Sequence, residues 1–261
     1  MNWLRTWRAL RAAGVVGMNE RNASFISLEN PRRLYPLVDD KVRCKALAQA
    51  AGIHVPELYG VVSIQHEIRD LHTLLDRHED FVIKPVNGSG GNGVLVVTGR
   101  RSGRYRKASG ALMDRATLDH HVENTLSGMY SLGGLPDAAM IEYRVKVDPV
   151  FEPVSFQGVP DIRTVVFRGY PVMAMVRLPT ASSDGKANLH QGAVGAGIDL
   201  ATGTTLRGVA RNEVVDEHPD SGNPIAGIAI PEWNRLLALA ARCYDISRLG
   251  YLGVDFVLDR D

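Results

Sequence analysis

The sequence predicts an α/β fold, more specifically an α+β chain in two lobes. Segments with helical period and segments with strand period alternate along it. Its 261 residues, 45% hydrophobic and 23% charged, can fill the core of one domain or of two closely packed lobes. A glycine-rich stretch, NGSGGNG, lies between the apolar runs FVIKPV and VLVV, which places a flexible tip between two strands.

The opening MNWLRTWRALRAAGVVGMNE is basic, with no acid before Glu20. Trp3, Trp7 and Leu10 share one helical face with Leu4 beside them, and Arg5, Arg8 and Arg11 lie toward the other. A short helix docking on the body is the expectation, ahead of a membrane-surface helix or a transit peptide. No secretory apolar core or small-residue cleavage site is present. Residues 39–52, DDKVRCKALAQAAG, read as a helix with Asp39 or Asp40 as N-cap and Gly52 as terminator. IHVPELYGVVS is extended, because Pro56 breaks a helix there. Residues 65–79 read as a charged surface helix. FVIKPV, ended by Pro85, and VLVV at 94–97 form a hairpin with the glycine stretch at its tip. A helix over 111–126 and a strand over 139–145 (AMIEYRV) follow. DIRTVVFRGYPVMAMVRLP, 161–179, is two strands joined at Gly169. PEWNRLLALAARCYDISRLG is a helix with Pro231 in its first turn and Gly250 at its end, and GVDFVLDRD is a last strand.

Composition excludes several function classes. Thirty basic residues against 29 acidic ones leave a net charge of +1, so neither nucleic acid nor membrane is an expected partner. Cys44 and Cys243 lie far apart in the sequence without metal-ligand spacing and suit reduced buried thiols in a cytoplasmic protein. No apolar run approaches the roughly 18 residues of a membrane span.

The glycines carry the functional signal. GSGGNG fits a dinucleotide fingerprint literally, but that motif must open a helix so the pyrophosphate can sit at its N-terminus, and VLVV follows instead. A phosphate-binding Walker loop would place a lysine and then Ser or Thr after the last glycine, and neither is there. What remains is a hairpin tip whose amides fold over a phosphate chain, with Lys84 on the strand below as a point charge. The plain alternative is a surface hairpin with a snorkelling lysine.

Read in order, DDKVRCKALAQAAGIHVP, FVIKPVNGSGGNG, AMIEYRV and GVDFV resemble the ATP-grasp superfamily from residue 39 onward. DIRTVVF and SDGKANLHQGA are similar to the DIR strand and N-L-H-x-G segment of the alpha-L-glutamate ligase (RimK) type, and GMNERNASFISLENPRRLYPLVDDK resembles the alpha-L-glutamate ligase-like proteins. The resemblance implies an ATP-grasp fold. Residues 1–35 would form an N-terminal helical segment, 36–145 the nucleotide-binding lobe and 146–261 a second, incomplete lobe. It also implies an ATP- and Mg2+- (or Mn2+-) dependent carboxylate–amine ligase working through an acyl phosphate. The acid, glutamate being the named candidate, would be joined to an amine on a small molecule or peptide. Two other readings stay open: an ATP-grasp protein with another acid and amine, including the sugar-transfer-associated relatives, or an ATP-binding module without turnover.

Carried over position by position, Lys41 and Lys84 resemble the two nucleotide lysines. Gly88, Ser89, Gly90, Gly91, Asn92 and Gly93 resemble the lid over the triphosphate. Glu142, with the backbone of Tyr143 and Val145, resembles the hinge at the adenine edge. Lys41 also sits unfavourably at a helix N-terminus, which argues for a role there. Guanidinium forks suit a substrate carboxylate, and Arg163 and Arg177, each interrupting an apolar strand, are the candidates. Asn188 and His190 resemble residues near the metal and acyl phosphate. Asp255 resembles the first metal carboxylate, and its place in an apolar strand suggests a metal ligand or a buried pair. The family's Glu-x-Asn motif would follow downstream of Asp261, so a fragment, or a chain lacking the main metal site, is expected. The segment before Asp39 is too short for the additional α/β subdomain of many ATP-grasp enzymes. Arg100, Arg101, Arg104, Arg106 and Lys107 fall together in GRRSGRYRKASG, where a solvated hairpin extension is expected ahead of a site for an anionic acceptor.

Overall fold

The alternating periods resolve into two antiparallel six-stranded sheets with helices packed on them, in a computed structural model that describes residues 3–88 and 90–260. Ser89 and Asp261 lie outside the described residues. The longer helices are α1 (Trp3–Ala12), α2 (Lys41–Ala50), α3 (Ile68–Leu75), α4 (Arg115–Leu126) and α5 (Trp233–Ser247). The first sheet holds β1 (Leu58–Val62), β2 (Phe81–Pro85), β3 (Leu95–Arg101), β4 (Arg104–Lys107), β5 (Leu112–Met113) and β6 (Ala139–Glu142), in the order β1-β6-β2-β3-β4-β5. The second holds β7 (Asp161–Phe167), β8 (Tyr170–Leu178), β9 (Val194–Ile198), β10 (Thr205–Ala210), β11 (Glu213–Val215) and β12 (Tyr251–Phe256), in the order β11-β10-β9-β8-β7-β12.

Each sheet carries its own core. In the first, strand alternation turns Phe81, Ile83, Leu95 and Val97 against Leu71, Leu75, Leu118 and Val122 of α3 and α4. In the second, Ile162, Val176, Leu178, Val194, Ala196 and Ile198 meet Trp233 and Leu236 of α5. The same alternation sends Lys84 to the opposite face from its buried neighbours Ile83 and Pro85.

Several boundaries differ from the sequence reading. Asp40 caps α2 by accepting the Arg43 amide at 2.9 Å, and Gly52 follows in the left-handed region. The helix expected from 111 starts at Arg115, because Asp114 caps it through the Thr117 amide at 2.8 Å and Leu112–Met113 pair with β4 instead. Pro231 lies outside α5, whose start is set by Trp233: its ring is buried and its indole donates to the Leu200 carbonyl at 2.8 Å. The strand expected to reach Val145 ends at Glu142, and the Tyr143 amide goes to the Glu57 carbonyl at 2.8 Å. Strands β9 to β11 had no counterpart in the sequence reading; Gly195 and Gly197 dilute the strand pattern that Val194, Ala196 and Ile198 complete by burial. The basic segment is a hairpin extension, β3–β4, in which Arg100 reaches Asp76 at 2.7 Å.

The expected docking of α1 does not occur, since none of its residues is buried. The segment after it makes the attachment: Phe25 packs against Phe167 and Tyr251, Asn30 exchanges hydrogen bonds with the backbone of Tyr251, and Glu29 pairs with Arg168. Among the described residues no helix is long and apolar enough to cross a membrane.

Candidate functional site

Beneath the glycine loop, Lys84 and Lys45 converge on one buried carboxylate, with Lys41 beside them on the same helix as Lys45. Lys84 on β2 and Glu142 on the neighbouring β6 form an ion pair, and Glu142 Oε2 lies 2.9 Å from Lys45 Nζ of α2. Lys45 is buried and also donates to the Pro56 carbonyl. Lys41, at the first turn of α2, sends its ammonium to the carbonyls of Val86 at 3.0 Å and Gly88 at 2.5 Å. Burial, and next the charge of Lys84, hold the Lys41 pKa below the ordinary lysine range. Burial does the same to Lys45, against the pull of Glu142. Lys84 and Lys45 share the single carboxylate of Glu142, while the charges of Asp137, Asp40 and Asp39 partly offset the depression at Lys41.

The loop above is latched at its base. Asp137 accepts the Asn87 amide at 3.0 and 3.1 Å, the Asn87 side chain at 2.9 Å and the Ala138 amide at 2.8 Å. Two glycines are sterically required. A Cβ on Gly88 would stand 2.3 Å from the Pro85 ring, and one on Gly93, at φ +72°, would stand 2.5 Å from the Tyr130 ring. Gly90 and Gly91 have positive φ but open surroundings. The His121 Nε2–H donates to the Gly93 carbonyl at 3.0 Å, and burial pushes the His121 pKa down against the pull of that hydrogen bond. A cleft of about 480 Å³ opens here, lined by Gly91, Asn92, Gly93, Tyr130 and Lys186 among others. The second sheet's loop reaches the tip: Asn188 Nδ2 donates to the Gly90 carbonyl at 3.2 Å. His190 is exposed, and its amide donates to Asn188 Oδ1 at 3.0 Å.

Past Glu142 the chain is held from both sides. Arg144 forks Asp80 at 2.7 and 2.9 Å, while Asp259, near the end of the chain, accepts the Lys146 amide at 3.1 Å and the Tyr143 hydroxyl at 3.4 Å. Tyr143 and Val145 thus lie on the connection between the sheets, and the Glu142 side chain is engaged by lysines.

The arginine candidates form a separate network across three strands. Cross-strand register places Arg163 opposite Asp255 and Asp161 opposite Arg177, and Asp161 and Arg163 share a face two residues apart. Arg163 grips Asp255 with two bonds of 2.6 Å, Arg177 forks Asp161, and Arg177 Nη2 also stands 3.1 Å from Asp255. Burial pushes the Asp161 pKa up to about 6 despite the Arg177 fork, and the Asp255 charge adds to the rise. Hydrogen bonding to Asp255 raises the Arg163 pKa. Both oxygens of Asp255 are occupied by guanidinium, and no group of three His, Cys, Asp or Glu residues able to hold a metal occurs among the described residues. Asp255 and its neighbours therefore do not fit a magnesium cage as they stand.

The structure thus brings together Lys41, Lys84, Glu142 and the lid glycines, with Asn188 touching the lid, and joins Arg163, Arg177 and Asp255 in a second cluster. Sequence reasoning missed Lys45, Asp137, Asp161 and His121. For Asp161 a signal existed, since the D-x-R spacing in DIR places acid and base on one face of a strand.

Among solved structures, the ATP-grasp ligase PsnB complexed with minimal precursor is 16% identical with a TM-score of 0.43, over 99% of this chain and 60% of that one. The D-alanine–D-alanine ligase from Bacillus anthracis is 16% identical with a TM-score of 0.48, over 87% of this chain and 54% of that one. The chain therefore spans less than two thirds of the length of either. No curated protein matches it. The model of one family, sugar-transfer associated ATP-grasp, matches residues 20–261. That match covers both sheets, the lysines, the glycine loop and the arginine network, and the chain belongs to the sugar-transfer associated ATP-grasp family.

Proposed function

We propose that the chain binds ATP beneath the glycine loop and joins a carboxylate to an amine through an acyl phosphate, with residues 36–145 as the nucleotide-binding lobe and 146–261 as the second lobe. The convergence of Lys41 and Lys84 beneath the glycine loop, where burial and next the charge of Lys84 lower the Lys41 pKa, is the observation that carries the reading. A triphosphate would supply an anion to both lysines. Lys41 is already aimed at the loop carbonyls, and Glu142 holds Lys84 in place from below. The loop amides would close over the phosphates and exclude water, which suits a transfer that needs positioning and charge neutralisation more than covalent help. A carboxylate oxygen of the acid attacks the γ-phosphorus, the bond to the β-phosphate oxygen breaks and ADP leaves. The amine nitrogen then attacks the acyl carbon, the bond to phosphate breaks, and the amine proton passes to solvent or phosphate. Arg163 and Arg177 would hold the acid, and Asn188, with His190 beside it, would connect the lid to the second lobe. Magnesium or manganese, when bound, would neutralise the phosphates. Asp255 could join it only by releasing guanidinium.

The acid and amine follow the family more than the glutamate-ligase motifs. Membership of a sugar-transfer associated family favours an acid or amine carried on a sugar-containing molecule over free glutamate. A second reading, ATP binding without turnover, is favoured by the arginine network, whose forks are filled by the chain's own Asp161 and Asp255. Calorimetric titration with ATP, with and without magnesium, tests the shared premise. Lys84→Ala should weaken binding at least about tenfold, the loss of a charge-assisted contact of ~1.5–3 kcal/mol, with the circular dichroism unchanged. Unchanged affinity would remove the site. ADP release that requires both an acid and an amine then separates ligase from binding module.

A further inference from the structure

α1 is a finished helix in which no residue is buried by the described residues of the chain. Gly14, at φ +76°, closes it: the Gly14 amide bonds to the Arg11 carbonyl at 3.0 Å and the Val15 amide to the Leu10 carbonyl at 2.9 Å, a paired C-terminal cap that folds Val15 back beside Leu10. Yet Trp3 is 71% exposed, and Trp7, Leu10, Val15 and Met18 also stand in solvent. A ten-residue helix is marginal in water by itself, and most helices gain stability by burying an apolar face. The rest of the chain does not cover this one.

We propose that α1 lies on an anionic lipid surface and holds the protein there. Charge selects this occupant. Arg5, Arg8 and Arg11 form the polar side of the helix, beginning at Arg11 beside the Trp3–Trp7–Leu10 stripe, and no acid precedes Glu20, so the segment offers lipid phosphates only cations. The Arg11 guanidinium sits 5.2 Å from the Trp7 ring centre, which shields its stem while the charge stays free to reach a headgroup. Two tryptophans on one face suit the boundary between headgroups and acyl chains. The attachment lies at residues 25–30, beyond the helix, so α1 can meet a surface without disturbing either sheet. A net charge of +1 for the whole chain concealed this local concentration.

The test is co-sedimentation of the full chain with vesicles of phosphatidylcholine alone or mixed with phosphatidylglycerol, at low salt, with tryptophan fluorescence in parallel. Binding should favour the anionic vesicles and blue-shift the emission. Since each arginine near an anionic surface contributes about fivefold to partitioning, Arg5→Glu/Arg8→Glu/Arg11→Glu should lower binding by more than about a hundredfold. Trp3→Ser/Trp7→Ser should lower it at least tenfold, and neither set touches a buried residue, so ATP affinity and melting temperature should not move. The proposal fails if anionic vesicles do not bind the chain, if phosphatidylcholine binds it equally, or if the arginine variant binds undiminished. Self-association abolished by Trp7→Ser in the absence of lipid would also overturn it, by assigning the face to a second copy.

Discussion

At the residue scale, Glu142 and Asp161 show how burial decides what a charge does. Glu142 is 5% exposed and Lys45 7%, so removing the carboxylate strands an ammonium in the interior. Glu142→Ala should lower stability by ~3–5 kcal/mol in urea denaturation. Glu142→Leu combined with Lys45→Met should recover most of that loss, while ATP affinity stays weak because Lys84 has lost its anchor. Recovery of ATP affinity together with stability would mean that Glu142 does not position Lys84. Asp161 behaves differently. Its pKa is raised to about 6 in the folded chain from an ordinary 3.8, so its stabilising contribution is complete below about 3.8 and is lost as pH rises through 6. The native protein should therefore lose on the order of 1–3 kcal/mol from this group across that window, and Asp161→Asn should not. Urea midpoints of the two proteins at pH 4 and pH 7 measure the difference.

At the element scale, the hairpin of β2 and β3 converts a string of glycines into a loop of defined shape. The residues differ in what they tolerate. Gly91→Ala places a methyl group in open space near the Lys186 stem, at a cost of ~1–2 kcal/mol for the left-handed backbone alone. Gly93→Ala adds a collision with the Tyr130 ring and should cost ~1–3 kcal/mol more. Thermal denaturation of both variants, beside their ATP affinities, should separate backbone strain from packing. Equal effects would show that Tyr130 yields. The hairpin itself was legible from two apolar runs around a glycine cluster, whereas the latch on Asp137 was not, since that residue lies far along the chain and meets Asn87 only because β6 pairs with β2. Likewise the two strands of DIRTVVF and VMAMVRLP could be read from alternation, but the partners of their arginines required the register.

At the scale of the molecule, two sheets with separate cores are bridged by polar contacts such as Asn188 to Gly90 and Arg242 to the Ala51 carbonyl. A nucleotide held by the first sheet and covered by the loop would stabilise the native state by about 2.7 kcal/mol at a concentration a hundred times its Kd. For a chain of this size that corresponds to a rise of roughly 5–10 °C in melting temperature. A rise in the parent chain that is absent in Lys84→Ala would support the site, and an equal rise in both would place nucleotide elsewhere.

Local chemistry determined much of this protein through the sequence alone: the helix behind Asp40, the hairpin around the glycines and the two strands joined at Gly169. These are written in neighbouring residues, where capping, alternation and turn preference operate over a few positions. Tertiary structure alone decided the rest. Lys45 entered the site because α2 packs over β6, Asp161 became a partner of Arg177 through strand register, and α5 began at Trp233 because that ring found a buried place. It also decided that α1, amphipathic by pattern, would be left uncovered. Long-range pairing sets which charges share a low-dielectric space, and no local pattern encodes that proximity.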